Sequence, residues 1–468
     1  MTASAQTQAR RRSLLWRLHL WSALLASPFV LVACLTGLLY VFTPQIEASL
    51  HGHLDTVSAK APAKPLDEAV QAARQAAPQG WRLHSVVPAF DANDSHRVAF
   101  LPPEQDKAKA GGQGGQSGHG GHGGHGASAG AAPAKPQFLR PNFGIPTRAM
   151  VVYVNPYTAQ VLGQLKESER FANWARKLHA HLLQGDSWRW MIELAASWTL
   201  VMLVTGVYLW WPRPGQSGLP QARAQGRMAW RQWHAFTGVA LGLVSVVIVA
   251  TGLTWSQNAG SQIKWARDAT GQAPPRIPAS FKSTVTEGAT PLSWAQAVQA
   301  IERQAPQVRM MLMAPQGPEG VWRANQMDRG DPTKRFDLLV DAYTGQRLYF
   351  SGWSEQTFFG KATAIGIPFH RGEFGLWNQV LLFVFGAGIL FSMVSGWVMV
   401  FKRLRAGLPL WPTVLPGAWK SVSPWAWLGS LLALLAMPVL AISALLPLLA
   451  EGLWAWRASA AAKSASAR

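Results

Sequence analysis

Four of the twelve histidines in this 468-residue chain recur at matched distances from a small hydroxyl residue followed by glycine. His19 stands 17 residues before Thr36-Gly37, and His234 stands 17 before Thr251-Gly252. His370 precedes Ser395-Gly396 by 25 residues, while His179 and His181 precede Thr205-Gly206 by 26 and 24. Spacing therefore leaves His179 and His181 open. Two residues apart on a helix they point to different faces, so at most one shares a site with His370. His19 and His234 stand at the ends of long apolar runs and His179, His181 and His370 shortly before them; within or at the end of a membrane span an ionisable side chain is costly and marks a site. Two neutral imidazoles facing each other from neighbouring helices can bind haem iron axially. His19 with His234 is the first expected pair, and His370 with His179 or His181 the second.

The bland alternative for any one of them is an interfacial ring among lipid headgroups. A bare metal ion is a second alternative, but no carboxylate or thiolate in the apolar runs completes a tetrahedral or octahedral shell. His119, His122 and His125 recur every third residue in a glycine-rich tract, residues 111–130. That tract has no core-forming content and reads as a flexible spacer with incidental affinity for copper, zinc or nickel, a weak outer metal site. Gly238 and Gly242 follow His234 and would admit a porphyrin or another helix, though helix packing explains them equally well. The tryptophans at the ends of the apolar runs read as an aromatic belt.

Elements must hold these rings in place, and the apolar runs supply them. Residues 20–42, 191–211, 235–255 and 376–401 each reach the roughly 20 apolar residues needed to span a bilayer. A fifth run, 425–449, is long enough but contains Pro438 and Pro447, so a kinked span or a re-entrant pair is expected there. Arg10, Arg11, Arg12 and Arg17 precede the first run, and Arg213, Arg223, Arg227 and Arg231 lie between the second and third. Lys402, Arg403 and Arg405 follow the fourth. A cytoplasmic N-terminus puts all three clusters inside, as the positive-inside rule asks, and leaves the two long connections outside. Arg11-Arg12 reads as an ordinary positive flank, and the long first run as an uncleaved anchor in the inner membrane.

The connections repeat as well. Pro65-Leu66-Asp67-Glu68 and Pro291-Leu292-Ser293-Trp294 open helical patterns, and strand-and-turn stretches follow, ending at Asn155-Pro156-Tyr157-Thr158 and Asp341-Ala342-Tyr343-Thr344. The expected fold is an internally duplicated membrane all-α bundle of four core transmembrane helices plus a fifth, carrying two periplasmic α+β domains. Its segments are an N-terminal flank and first span to 42, an outer domain at 43–190, a second span and loop at 191–234, and a third span at 235–255. A second outer domain at 256–375, a fourth span at 376–401, an inner loop at 402–424, the fifth run at 425–449 and a tail at 450–468 complete the chain.

Composition agrees with this. Apolar residues make up 49% and charged residues only 14%, below the share of about a quarter usual in soluble chains. The net charge of +20 is spread beside apolar runs, which favours membrane topology over nucleic acid. Cys34 is the only cysteine and reads as a packing residue, so neither an intrachain disulfide nor a thiolate-held iron–sulfur cluster built by this chain alone is open to it.

Trp16-Arg17-Leu18-His19, Leu178-His179-Ala180-His181-Leu182-Leu183, Arg231-Gln232-Trp233-His234 and the Thr-Gly or Ser-Gly run endings together resemble the PepSY-associated transmembrane family. Its members include iron-regulated membrane proteins and ferric-siderophore reductases. The resemblance covers roughly residues 13–405 and implies PepSY-like outer domains and two b-type haems, one on His19 and His234, the other on His179 and His370. His179 is preferred because it matches the first histidine of the Leu-His-x-x-Leu-Leu pattern. The implied activity is transmembrane electron transfer from a cytoplasmic or quinone donor to a periplasmic ferric siderophore. No nicotinamide fingerprint accompanies it. The competing expectations are a non-enzymatic periplasmic binding or assembly protein and a copper-uptake protein. The histidine tract and the run after Trp425 depart from the family's simple pattern.

Overall fold

In a bilayer every backbone polar group needs an internal partner, so apolar runs of this length fold as helices. The computed structural model describes residues 3–60, 62–103, 137–139, 144–212, 217–285 and 287–466. In chain order the helices are α1 (Ala3–Val41), α2 (Thr43–Asp55), α3 (Leu66–Ala76), α4 (Phe171–His181), α5 (Trp190–Trp210), α6 (Gly226–Ala240) and α7 (Gly242–Leu253). Then come α8 (Ala259–Ala269), α9 (Trp294–Glu302), α10 (Phe358–Arg371), α11 (Leu376–Arg405), α12 (Pro424–Ala436) and α13 (Pro438–Ser466). The strands are β1 (Arg82–Val87), β2 (His96–Leu101), β3 (Met150–Val154), β4 (Val161–Lys166), β5 (Met310–Met313), β6 (Val321–Gln326), β7 (Asp337–Asp341) and β8 (Arg347–Ser351). The chain divides into two units, one of Met1–Val41, Lys177–Gly271 and Phe369–Arg468, the other of Phe42–Arg176 and Gln272–Pro368.

The first unit is helical. Ala5–Val41, Asp186–Trp210, Leu376–Arg405 and Pro438–Arg457 are each long and apolar enough to cross a membrane. Leu243, Val204, Leu376 and Ile442 are at least 70% exposed, a surface suited to acyl chains and not to water. This is a multi-pass membrane protein. The third expected run is not one straight helix, for α6 and α7 meet at Leu241 with a bend of 57°. Glycine at 242 permits the break, and the Leu241 side chain fills the space a Cβ on Gly388 of α11 would need.

The fifth expected run also divides. Met437 leaves helical geometry before Pro438, which has no N–H to continue the ladder. Pro447, by contrast, sits inside α13 without ending it. Arg11 Nε donates to the Ser421 carbonyl, while Arg17 donates to both Glu451 carboxylate oxygens at 2.6 and 2.9 Å and to the Pro412 carbonyl at 2.9 Å. Trp21, Trp411 and Trp454 stack around the same guanidinium. Deeper along α1, Met437 and Leu440 pack with Ala26 and Val30. The α12–α13 segment therefore leaves the N-terminal end of α1 and returns to it.

The second unit is an antiparallel sheet of eight strands in the order β4-β3-β2-β1-β5-β6-β7-β8, joined at its centre by Val86 against Leu312. Alternating apolar residues put Val86, Val98, Phe100, Leu312, Trp322 and Leu338 on one face, and α3 and α9 cover them with Leu66, Val70, Trp294 and Ile301. Asp67 of α3 accepts from the Trp294 and Ala295 N–H groups and so caps α9. Asn155 and Asp341 close the turns after β3 and β7 by accepting from backbone N–H groups two and three residues on. Glu47 of α2 accepts from the Ala172 N–H and from Arg170, which anchors the first turn of α4.

Candidate functional site

Each of the four histidines rests on the glycine of a different helix. A Cβ on Gly206 of α5 would lie 3.4 Å from His19 Cε1, and one on Gly37 of α1 would lie 3.3 Å from His179 Cε1. The same distance is 3.6 Å for Gly396 of α11 and His234, and 3.1 Å for Gly252 of α7 and His370. A Cβ would be in ordinary contact with the ring at Gly206 and Gly396, and would crowd it at Gly37 and most of all at Gly252.

The residue before each glycine holds the ring. His19 Nδ1 meets Thr205 Oγ1 at 2.9 Å, His179 Nδ1 meets Thr36 Oγ1 at 2.9 Å, His234 Nδ1 meets Ser395 Oγ at 3.0 Å and His370 Nδ1 meets Thr251 Oγ1 at 3.3 Å. Each hydroxyl donates its single proton to its own helix, to Val201, Val32, Ser392 or Val247. It is left to accept from the imidazole. The carbonyl three residues earlier draws the same proton, at 2.8 Å for Ser392 and 2.9 Å for Ile248, with Met202 and Ala33 in the equivalent places for His19 and His179. A carbonyl can only accept, so Nδ1 carries the hydrogen and Nε2 keeps its lone pair for a ligand.

His19 and His234 face each other with ring centroids 6.2 Å apart and planes at 89°. Two metal–imidazole bonds of about 2 Å plus two ring radii give a centroid separation of roughly 6 Å, so the space between these rings would accommodate one metal ion. His179 and His370 are seated by equivalent hydroxyl and glycine contacts on α1 and α7. Among the described residues no three His, Cys, Asp or Glu side chains gather as a metal cluster.

Compared with known families, the chain matches the PepSY-associated TM region over residues 16–403. The chain belongs to that family. No curated protein matches it.

Within this PepSY-associated chain, α4 brings His179 and not His181 to Thr36-Gly37. His181 Nδ1 instead accepts from the Gly185 N–H at 3.2 Å, in a turn where Leu182 and Leu183 take left-handed φ of 51° and 64°. His119, His122 and His125 lie outside the described residues. No heavy atom comes within 4 Å of a Cβ on Gly238 or Gly242, so the close approaches belong to Gly37, Gly206, Gly252 and Gly396.

Three supporting residues had no signal in periodicity. Arg371, next to His370, donates to the Tyr40 hydroxyl at 2.9 Å and pairs with Glu373 at 3.0 Å, tying the end of α10 to α1. Arg12 donates to the Leu209 carbonyl at 2.6 Å and closes α1 on α5 at the other end. Glu193, fully buried in α5, accepts from the Asn258 and Ala259 N–H groups and caps α8. Nearby charge patterns could have suggested Arg12, but not a contact across helices.

Proposed function

We propose that the chain is a haem-b-dependent electron-transfer protein of the bacterial inner membrane. Its N-terminus is cytoplasmic, its two α+β halves are periplasmic, and it delivers single electrons from a cytoplasmic or quinone donor to a ferric siderophore. The observation that carries this reading is the facing of His19 and His234 at 6.2 Å with each Nδ1 engaged by another helix. Haem iron bound between such imidazoles supplies a one-electron carrier whose potential follows its ligands and surroundings. Thr205, Thr36, Ser395 and Thr251 hold the Nδ1 protons, which leaves Nε2 as the ligating atom in all four rings. The four glycines let the rings seat against the helices, and apolar side chains around them exclude water.

A duplicated unit is supported by the equal spacing from His19 to Thr36 and from His234 to Thr251 and by four strands on either side of the β1–β5 junction. The proposed orientation is supported by Arg10, Arg11, Arg12, Arg227, Arg231, Lys402, Arg403 and Arg405, all at span ends that the positive-inside rule assigns to the cytoplasm. The ferric siderophore is the acceptor because the family includes reductases of that class.

Haem quantification with an optical redox titration tests the reading. His19→Ala or His234→Ala is expected to remove one of two haems and leave an outer centre that dithionite still reduces. His370→Ala is expected to remove the other, and His181→Ala to do less harm than His179→Ala. If all four ligand variants kept two haems per chain with unchanged spectra, the reading would be wrong.

A further inference from the structure

The N-terminal end of the helical unit holds a cavity of about 390 Å³ that the histidine site does not use. It is lined by Arg10 and Arg11 of α1, Gly417, Lys420 and Ser421 of the loop after α11, and Ser423 at the start of α12. Two contacts build it. Arg11 Nε donates to the Ser421 carbonyl, which draws the loop onto α1, and Gly417 takes a left-handed φ of 72° that brings its Cα beside the Arg10 guanidinium. A Cβ there would stand 3.7 Å from Arg10 Nη1.

Three cations thus converge on one concave wall. Among the described residues no carboxylate pairs with Arg10, Arg11 or Lys420, in contrast to Arg17 two turns along, which is fully paired with Glu451. Ser423 caps α12 by accepting from the Ala426 N–H, so the positive end of that helix opens at the same wall. Mutual repulsion among three cations lining one wall is relieved when an anion sits between them.

We propose that this cavity binds the phosphate of an anionic phospholipid headgroup. Phosphate accepts from guanidinium forks and an ammonium at once, and the volume is of the order of a small-ligand site and far larger than a lone ion needs. What selects a lipid over a soluble phosphate is the helix that starts at the rim. Leu428, Leu431, Leu432 and Leu435 of α12 are all exposed at helical spacing, with Trp425 80% exposed above them, so an apolar lane runs away from the basic wall. A headgroup in the cavity places its acyl chains on that lane. The lipid would clamp the loop after α11 to α1, about two turns from His19. This proposal does not depend on haem.

The full-length protein can be extracted in mild detergent and its retained phospholipid measured by native mass spectrometry. It can then be unfolded thermally in bilayers of phosphatidylcholine alone or of phosphatidylcholine and phosphatidylglycerol in equal parts. Wild type should retain phosphatidylglycerol in preference to phosphatidylcholine and unfold at higher temperature in the mixed bilayer. Arg10→Gln and Lys420→Gln should each weaken retention about fivefold. Lys402→Gln, which removes an exposed cation outside the cavity, should leave it unchanged. The Lys420 side chain makes no hydrogen bond within the described protein, so that variant is expected to fold even if Arg10→Gln does not. Equal loss in Lys402→Gln and Lys420→Gln would reduce the site to general surface charge and overturn the proposal. Stabilisation of the phosphatidylcholine form by sodium phosphate, equal to that given by phosphatidylglycerol, would assign the cavity to a free phosphate and overturn the lipid.

Discussion

A histidine that binds iron through Nε2 is tuned through Nδ1, and here Nδ1 sits between a hydroxyl and a carbonyl on a foreign helix. Donation from Nδ1 makes the ring a stronger base and favours the oxidised metal. Under the proposed function, Thr205→Val removes the hydroxyl from His19 and keeps the shape, so the reduction potential of a haem held there should rise by roughly 20–60 mV, one ordinary hydrogen bond expressed as a one-electron potential. Thr205→Ser should restore it, with haem content constant in both variants. An unchanged midpoint in Thr205→Val would assign the proton to the Met202 carbonyl alone. The histidines were legible in the sequence because apolar runs make an imidazole conspicuous. Thr36, Thr205, Thr251 and Ser395 were legible only as markers of repetition, since the contact that gives them a role crosses between helices that no spacing rule relates. The choice between His179 and His181 was closed to spacing for a similar reason. It turns on where α4 ends, and left-handed Leu182 and Leu183 give no strong sequence signal.

At the scale of elements, β2 carries a switch of stability rather than of redox chemistry. His96 is 7% exposed, and its Nδ1 accepts from the Ala89 N–H, which requires a neutral ring. Burial lowers its pKa from 6.5 to about 4. A depressed pKa means the full contribution is present above pH 6.5 and is lost as pH falls through 4, up to about 3 kcal/mol in all. Exchange at the β2 amides, taken relative to its intrinsic rate, should therefore accelerate as the pH falls from about 7 to about 5. His96→Gln, which keeps an acceptor without a titrating ring, should flatten that dependence; the same acceleration in both proteins would put the acid sensitivity elsewhere. The turns after β3 and β7 were readable from Asn155 and Asp341, whose side chains act locally. The bend at Leu241 was not, because hydropathy registers composition and the bend depends on Gly388 of another helix. Pro438 did announce the break between α12 and α13.

The whole molecule has a testable topology that apolar runs alone left open. Because Ser421 meets Arg11 and Glu451 meets Arg17, α12 and α13 begin and end at one face. A reporter placed after Arg457 should give the same side as one placed before Leu14. Opposite readings would make α13 a final crossing. The order of helical runs and long connections could be followed from the sequence. How the strands join into one sheet could not, since the Val86–Leu312 pairing links segments more than two hundred residues apart and has no local signature.

The helix α1 provides the proposed ligand at residue 19 and, at residue 36, the socket for His179. Seventeen residues of α-helix fix these about 25 Å apart, so the helix acts as a gauge bar between two workpieces. One inserted residue between them would turn the socket by about 100° against the ligand and lengthen the bar by about 1.5 Å, a fault that neither end can absorb by repacking alone. Exposed positions along this stretch can vary in identity, yet its length is held from both ends. Insertions and deletions should be far less tolerated here than in any loop of the molecule.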